Sequence, residues 1–356
     1  MMKEYLLDHW KRYPKMQITD AVKLLYQSEF GGGHMIANPD KSLKRLKEEW
    51  ESYQKVTPKE SCRSVEAIGD GMCRIYLSAL NEGLDPETLN QLFVQTADRK
   101  VGKTVSFEHK LEILKECCLD GSIHFPEQEL EAYLKQYKEQ GYPPVSHSEI
   151  YRRCYRPAYR VAAEYYTRFY PVFLAIDRAC RAAGSRPVTV AIDGMCGSGK
   201  STLGRILAEI YSCNLFHMDD FFLRPEMRTN ERLNQPGGNV DYERFYEEIL
   251  SHLSSPDGLE YGVYDCGKQK IEKRIHVPFC RLNIIEGAYS QHPFFGDAYD
   301  LRFFCRISPD EQAHRIMKRN GPDMLKHFQD LWIPMENRYF REFGIEENSI
   351  PVIPES

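Results

Sequence analysis

The chain has 356 residues, of which 42% are hydrophobic and 28% charged, with a net charge of −5. That length exceeds one ordinary core and implies two domains of a globular protein. The charge is uneven, with 27 Lys+Arg against 26 Asp+Glu in residues 1–185 (net +1) and 20 against 26 in the rest (net −6), which argues against a chain built mainly to bind nucleic acid.

The opening "MMKEYLLDHWKRYPK" is charged and lacks the apolar centre of a signal peptide. No apolar run approaches the ~18 residues that span a bilayer. Helical spacing follows in "TDAVKLLYQSEF", closed by three glycines at 31–33, and in "DKSLKRLKEEWESYQK", with Leu43, Leu46 and Trp50 on one face. "DPETLNQLFVQTAD" and "FEHKLEILKECCLD" start with capping residues, and "PEQELEAYLKQYKEQG" has Pro126 at its start and Gly141 just past its end. Pro157 to about Ala183 reads as one long helix bent at Pro171. "GSRP" at 184–187 marks the boundary between a mostly α-helical domain, 1–184, and a second domain, 185–356.

Beyond residue 187 short β-branched runs, "VTVAID", "RLNIIEGAY" and "YDLRFFCRIS", alternate with helical patterns at 201–211, 241–253, 309–319 and 323–343. That alternation predicts a parallel sheet with helices on both faces. The eleven cysteines show no CxxC pair and no zinc-ligand spacing. They read as free thiols of a reducing cytosol, so a cytoplasmic location is expected.

The first strand of that domain runs into "GMCGSGKST". Gly194, Gly199, Lys200 and Ser201 match G-x-x-x-x-G-K-[ST], the loop that cradles nucleotide phosphates, and Cys196, Gly197, Ser198 and Thr202 belong to the same stretch. Its glycines let backbone N–H groups turn onto phosphate oxygens. Lys200 would reach the terminal phosphates and Ser201 would ligate Mg²⁺. "FHMDDFF" then puts Asp219 and Asp220 after an apolar stretch, where a carboxylate can take a proton from an acceptor hydroxyl or hold Mg²⁺. A solvated turn is the alternative there. Glu286 ends "RLNIIEG", the usual place for a carboxylate that holds Mg²⁺. Arg315, Lys318 and Arg319 fall on one face of a helix that could close over the phosphates, or simply face solvent.

With "MDDFF", "NVDYERF", "VYDCGKQK", "IIEGAY" and "RIMKRNG" added to the loop, residues 187–343 resemble the uridine kinase branch of P-loop kinases, which includes pantothenate kinase and phosphoribulokinase. The resemblance implies an α/β P-loop domain, ATP or another NTP with Mg²⁺ as cofactors, and a small-molecule hydroxyl acceptor. It also implies Asp219 as general base, Glu286 as the glutamate after the Walker-B strand and, loosely, Arg315 and Arg319 as lid arginines; Ser201, with Glu286 or Asp220, would position Mg²⁺. Uridine kinases close on the pyrimidine with Tyr-Asp-Phe and a histidine three residues later. Here Tyr264 and Asp265 remain, but Cys266 replaces the stacking ring and Gln269 the histidine. An aromatic face is worth ~1–3 kcal/mol to a base, so phosphorylation is better supported than uridine as its acceptor. Arg224, Arg228, Tyr289, Trp332, Asn337 and Tyr339 are further candidates for contact with an acceptor. A vitamin, a sugar or a modified nucleoside are alternative acceptors, and a nucleotide-dependent switch is the alternative of another class.

Two polar stretches of the first domain stay unassigned. "YQSEFGGGHMI", with Glu29 and His34, reads best as a helix end followed by a loop, with a ligand or metal site as the alternative. "SHSEIYRRCYRPAYR", with His147 and Arg160, could grip an anionic ligand or RNA, or pair internally. Nucleic acid is the weaker expectation, and the oligomeric state is not legible.

Overall fold

The computed structural model describes residues 2–55 and 63–353. The chain divides into two compact units, Met1–Tyr170 and Pro171–Ser356.

The first unit is helix-rich. Helices Met2–Arg12, Ile18–Phe30, Thr104–Leu119 and Glu127–Glu139 bury Leu6, Leu24, Leu25, Phe107, Leu114 and Leu130 in one core. A three-stranded antiparallel sheet completes that core: β1 (Val65–Gly69), β2 (Met72–Tyr76) and β3 (Tyr159–Ala163), in that order. This sheet corrects the expected long helix from Pro157. The segment instead runs as β3, a short helix Glu164–Thr167, and a separate helix Tyr170–Ala183. Residues 160–162 are all buried, so β3 shows no polar face that would announce a strand.

Both polar stretches of this unit are used internally. Glu29 accepts from the Lys103 N–H and the Ser106 hydroxyl, each at 2.8 Å, which pins the start of helix Thr104–Leu119. His34 is exposed. His147 sits between Asp20 (Nδ1 to Oδ1, 2.9 Å) and the Tyr159 hydroxyl (Nε2, 2.6 Å) and stacks on Tyr151 at 4.3 Å. Arg160 pairs with Glu49 at 2.8 Å. Beside them the wholly buried Arg74 donates to Gln27 Oε1 at 2.8 and 3.0 Å and lies over the Tyr159 ring.

The second unit is an α/β domain. Its parallel sheet has the order β10-β9-β4-β8-β5, from β4 (Val188–Gly194), β5 (Asn214–His217), β8 (Leu282–Glu286), β9 (Leu301–Cys305) and β10 (Ile350–Val352). An antiparallel hairpin, β6 (Leu259–Asp265) and β7 (Lys270–Val277), stands outside that sheet. All seven residues of β4 are buried. Helices Lys200–Ile210, Tyr242–Glu248, Pro309–Asn320 and Ile333–Phe343 flank it. The chain leaves β4 for β5 and β8 on one side and returns to β9 on the other. The carboxyl end of β4 is therefore a point of reversal, where open parallel sheets bind ligands.

The expected boundary at 184/185 differs from the division at Tyr170/Pro171. Most of helix Tyr170–Ala183 goes with the second unit, where the Tyr211 hydroxyl donates to Asp177 Oδ1 (2.8 Å) and Phe173 O (3.3 Å). Among the described residues no helix is long and apolar enough to cross a membrane.

Candidate active site

The site begins where β4 runs out. Gly194 has φ +134°, and a Cβ there would lie 2.2 Å from the Cys305 carbonyl oxygen on β9. Only glycine lets the chain leave the sheet at that point. Gly197 and Gly199 also have positive φ, +74° and +100°, and helix Lys200–Ile210 starts immediately afterwards. The loop thus turns its amides inward at the positive end of a helix, the arrangement that receives anions. Lys200 folds over it, its Nζ donating to the carbonyls of Gly194 (2.6 Å) and Met195 (3.1 Å). The Ser198 hydroxyl is buried there with no hydrogen-bond partner among the described residues.

Carboxylates from several elements lie around the loop. Glu286 ends β8 directly opposite Ile192 of β4 and His217 of β5. Its Oε2 accepts from the Ser201 hydroxyl at 3.1 Å, and its Oε1 meets His217 Nδ1 at 2.5 Å, which raises the imidazole pKa. Asp219 lies on the 3₁₀ turn Met218–Phe221 that follows β5 and faces the pocket. Surrounding protein pushes its carboxyl above the ordinary range, and the charge of Glu286 adds to the shift. Asp220 turns away, towards the Tyr261 hydroxyl at 3.4 Å. Asp193, beneath the loop, accepts from Gly194 N–H (2.7 Å), Tyr339 OH (2.9 Å) and Gln291 N–H (3.2 Å). Its complete burial nevertheless pushes the pKa up to about 6.

These groups open onto one cavity of about 1060 Å³, whose lining includes Cys196, Gly197, Gly199, Lys200, Ser201, Thr202, Asp219 and Glu286. Arg315 and Arg319 line it too. Arg315 pairs with Glu311 at 2.7 Å, with one Nη 3.4 Å from the Gly197 carbonyl, and Arg319 donates to Asn320 Oδ1. Of the candidates for acceptor contact, Arg228, Tyr289 and Trp332 line the cavity, and so does Cys266, which stands in place of the stacking ring. Tyr264 is buried behind Arg228, which donates to its hydroxyl at 3.1 Å. Arg224, Asp265, Gln269, Asn337 and Asp220 are not part of the lining. Asp265 caps its own hairpin turn through Lys268 N–H, and Gln269 holds the left-handed position of that turn. Tyr339 is fully buried and spends its hydroxyl on Asp193.

Asp193, His217, Gln312 and Glu336 also hold the loop or its carboxylates and match no motif of the sequence. Asp193 carried a signal, a lone carboxylate ending an apolar strand. Gln312 and Glu336 reach Cys196 from more than a hundred residues away, and nothing local announces them.

Among the described residues no three His, Cys, Asp or Glu side chains gather to hold an ion unaided. A Mg²⁺ ion commonly takes one or two carboxylates and completes its shell with phosphate and water. Ser201 with Glu286 fits that pattern, and the inward loop with its unpartnered Ser198 hydroxyl fits a polyphosphate.

Comparison with known proteins adds a likeness in fold. No family model matches the chain, and no curated protein matches it. Among solved structures, it is similar to a "possible uridine kinase" of Bacillus stearothermophilus at 18% identity and TM-score 0.37, over 52% of this chain and 100% of that one. A protein assigned as a fructose transport system kinase of Silicibacter sp. TM1040 matches at 19% and 0.39, over 51% and 96%. The YGR205w protein matches at 17% and 0.36, over 53% and 93%. Two of the three carry the name of a kinase. The likeness extends over about half of the chain, and the remainder resembles none of the three.

Proposed function

We propose that the second unit is an ATP-dependent phosphotransferase that acts on a hydroxyl of a small metabolite in the cytoplasm. The observation that carries this reading is convergence: the glycine loop with Lys200, the Ser201–Glu286 pair and the raised carboxyl of Asp219 face one cavity. A nucleotide switch needs the first two features and has no use for the third.

A bound MgATP would supply the phosphoryl group and the cation that offsets its charge. The loop amides and Lys200 would hold the phosphates. Ser201 and Glu286 would orient the cation. Asp219, with its raised pKa, would accept the proton of the acceptor hydroxyl, and Arg315 and Arg319 would stabilise charge on the transferred group. Cys266 in place of an aromatic ring disfavours a pyrimidine nucleoside as acceptor. Vitamins, sugars and modified nucleosides fit the reading equally.

The test is ATP consumption over a panel of nucleosides, sugars and small alcohols, followed by mass detection of a phosphorylated product. Lys200→Ala is expected to abolish turnover, and Asp219→Asn to lower kcat by about 10²-fold or more. Turnover that survives Lys200→Ala would sink the proposal. Undiminished function in Asp219→Asn would leave only the switch.

A further inference from the structure

One wall of the cavity is built from a single irregular segment. Helix Pro322–His327 passes through a π-helical turn, Phe328–Trp332, into helix Ile333–Phe343. Pro334 has no N–H for the Asp330 carbonyl, and the Ile333 N–H bonds to Phe328 O, five residues back. Such turns occur often at functional sites. Phe328, Leu331, Trp332, Met335 and Glu336 of this segment all line the cavity.

Four of the five are apolar, and Glu336 is the exception. It is 7% exposed, and its Oε2 accepts from the Cys196 N–H at 2.9 Å. Burial raises its pKa. From the opposite side Gln312 Nε2 donates to the Cys196 carbonyl at 2.8 Å. Cys196 itself packs into a small apolar cluster with Ile316 and Phe328, against which Trp332 rests. The loop peptide that precedes Gly197–Lys200 is therefore held by the segment that forms the apolar wall.

We infer that Glu336 is a positioning residue: it fixes the Cys196 peptide so that the amides after it face phosphate, and it ties the shape of the phosphate loop to the wall that carries Trp332. This inference rests on the reading of the loop as a phosphate site. It adds a coupling between the two halves of the cavity that the reading does not require.

The experiment uses the full chain with Trp10 and Trp50, two of its three tryptophans, replaced by phenylalanine. Trp332 then reports alone. Magnesium tripolyphosphate, which has neither base nor sugar, is the probe. Binding to the parent is expected to change Trp332 emission. Glu336→Ala is expected to weaken binding at least about fivefold, the order of one lost buried hydrogen bond, and to abolish the emission change at saturation. Glu336→Gln, whose amide oxygen accepts the same N–H, is expected to restore both. Circular dichroism checks that each variant folds. Equal affinity and equal emission change in the alanine variant would overturn the inference while leaving the phosphate site intact. A parent that binds no tripolyphosphate, and whose Lys200→Ala form behaves identically, would overturn the reading of the loop as well. Failure of the glutamine variant to rescue a folded, weakened site would also count against the inference.

Discussion

At the scale of single residues, the glycine loop is the most constrained part of the candidate site: Gly194, Gly197 and Gly199 hold positive φ, and Lys200 folds back onto the carbonyls of Gly194 and Met195. Gly194, Lys200 and Ser201 are neighbours in the chain, so the proposed phosphate loop is legible as a spacing, whereas the residues proposed to meet an acceptor come from separate segments and no local pattern gathers them. Gly194 gives the sharpest expectation. A methyl group there would enter the backbone of Cys305, at 2.2 Å from its oxygen and 2.6 Å from its nitrogen, and φ would be strained as well. Gly194→Ala is expected to cost more than about 3 kcal/mol or to prevent the second unit from folding, measured by thermal unfolding. Asp219 supports a second expectation. Its carboxyl is raised, first by burial and then by Glu286. The acidic limb of the pH–rate profile should therefore lie above the ordinary aspartate value of 3.8. Glu286→Gln removes one cause of that shift and should move the limb to lower pH. A limb that stays in place would assign it to another group.

At the scale of elements, a segment was readable where its pattern was local. The helices with one apolar stripe lie within a few residues of their expected positions. β3 was misread because a strand buried on both faces shows no alternation, and because its partner β2 lies more than eighty residues earlier. The hairpin β6–β7 is hidden for a different reason: its register shifts between Val263 and Tyr264, which breaks the alternation of β6. The π-helical turn is the element whose cause is clearest after the fact. Pro334→Ala supplies the missing N–H, so the segment can close as continuous α-helix, which rotates residues 328–332 by about 100° relative to Glu336. The expected outcome is a cavity wall out of register with the loop, seen as a blue or red shift of Trp332 emission without loss of helix content by circular dichroism. Unchanged emission would show that the turn is set by packing rather than by the proline.

At the scale of the whole molecule, the two units differ in what buried charge does. In the second unit, Lys200, Asp219, Glu286, Arg315 and Arg319 line a cavity, while Asp193, Asp241 and Arg244 are buried away from it. In the first, charge is shut inside: Asp20, Glu66, Arg74, His9 and His147 lie at 7% exposure or less, held by one another and by Tyr13, Tyr76, Tyr151 and Tyr159. That closed network has a consequence for acid stability. Burial lowers His147 to about 4 from 6.5, against the smaller opposing pull of Asp20. The unfolded imidazole gains a proton as pH falls below 6.5, and the folded one gains it only near 4. Stability is therefore present at neutral pH and lost across that window, by about 3 kcal/mol at roughly 1.4 kcal/mol per unit. Glu66 removes more below pH 4.5: burial pushes its carboxyl up, but His9, the charge of Arg74 and the Tyr76 hydroxyl together hold it at about 2 instead of 4.5. Urea unfolding followed by Trp10 and Trp50, both in this unit, should show the midpoint falling between pH 7 and 4.5. His147→Gln should lower stability at pH 7, because it breaks the link between Asp20 and Tyr159, yet flatten the dependence between 6.5 and 4. An unchanged slope in that variant would mean that His9, also lowered by burial, carries the acid sensitivity of the unit.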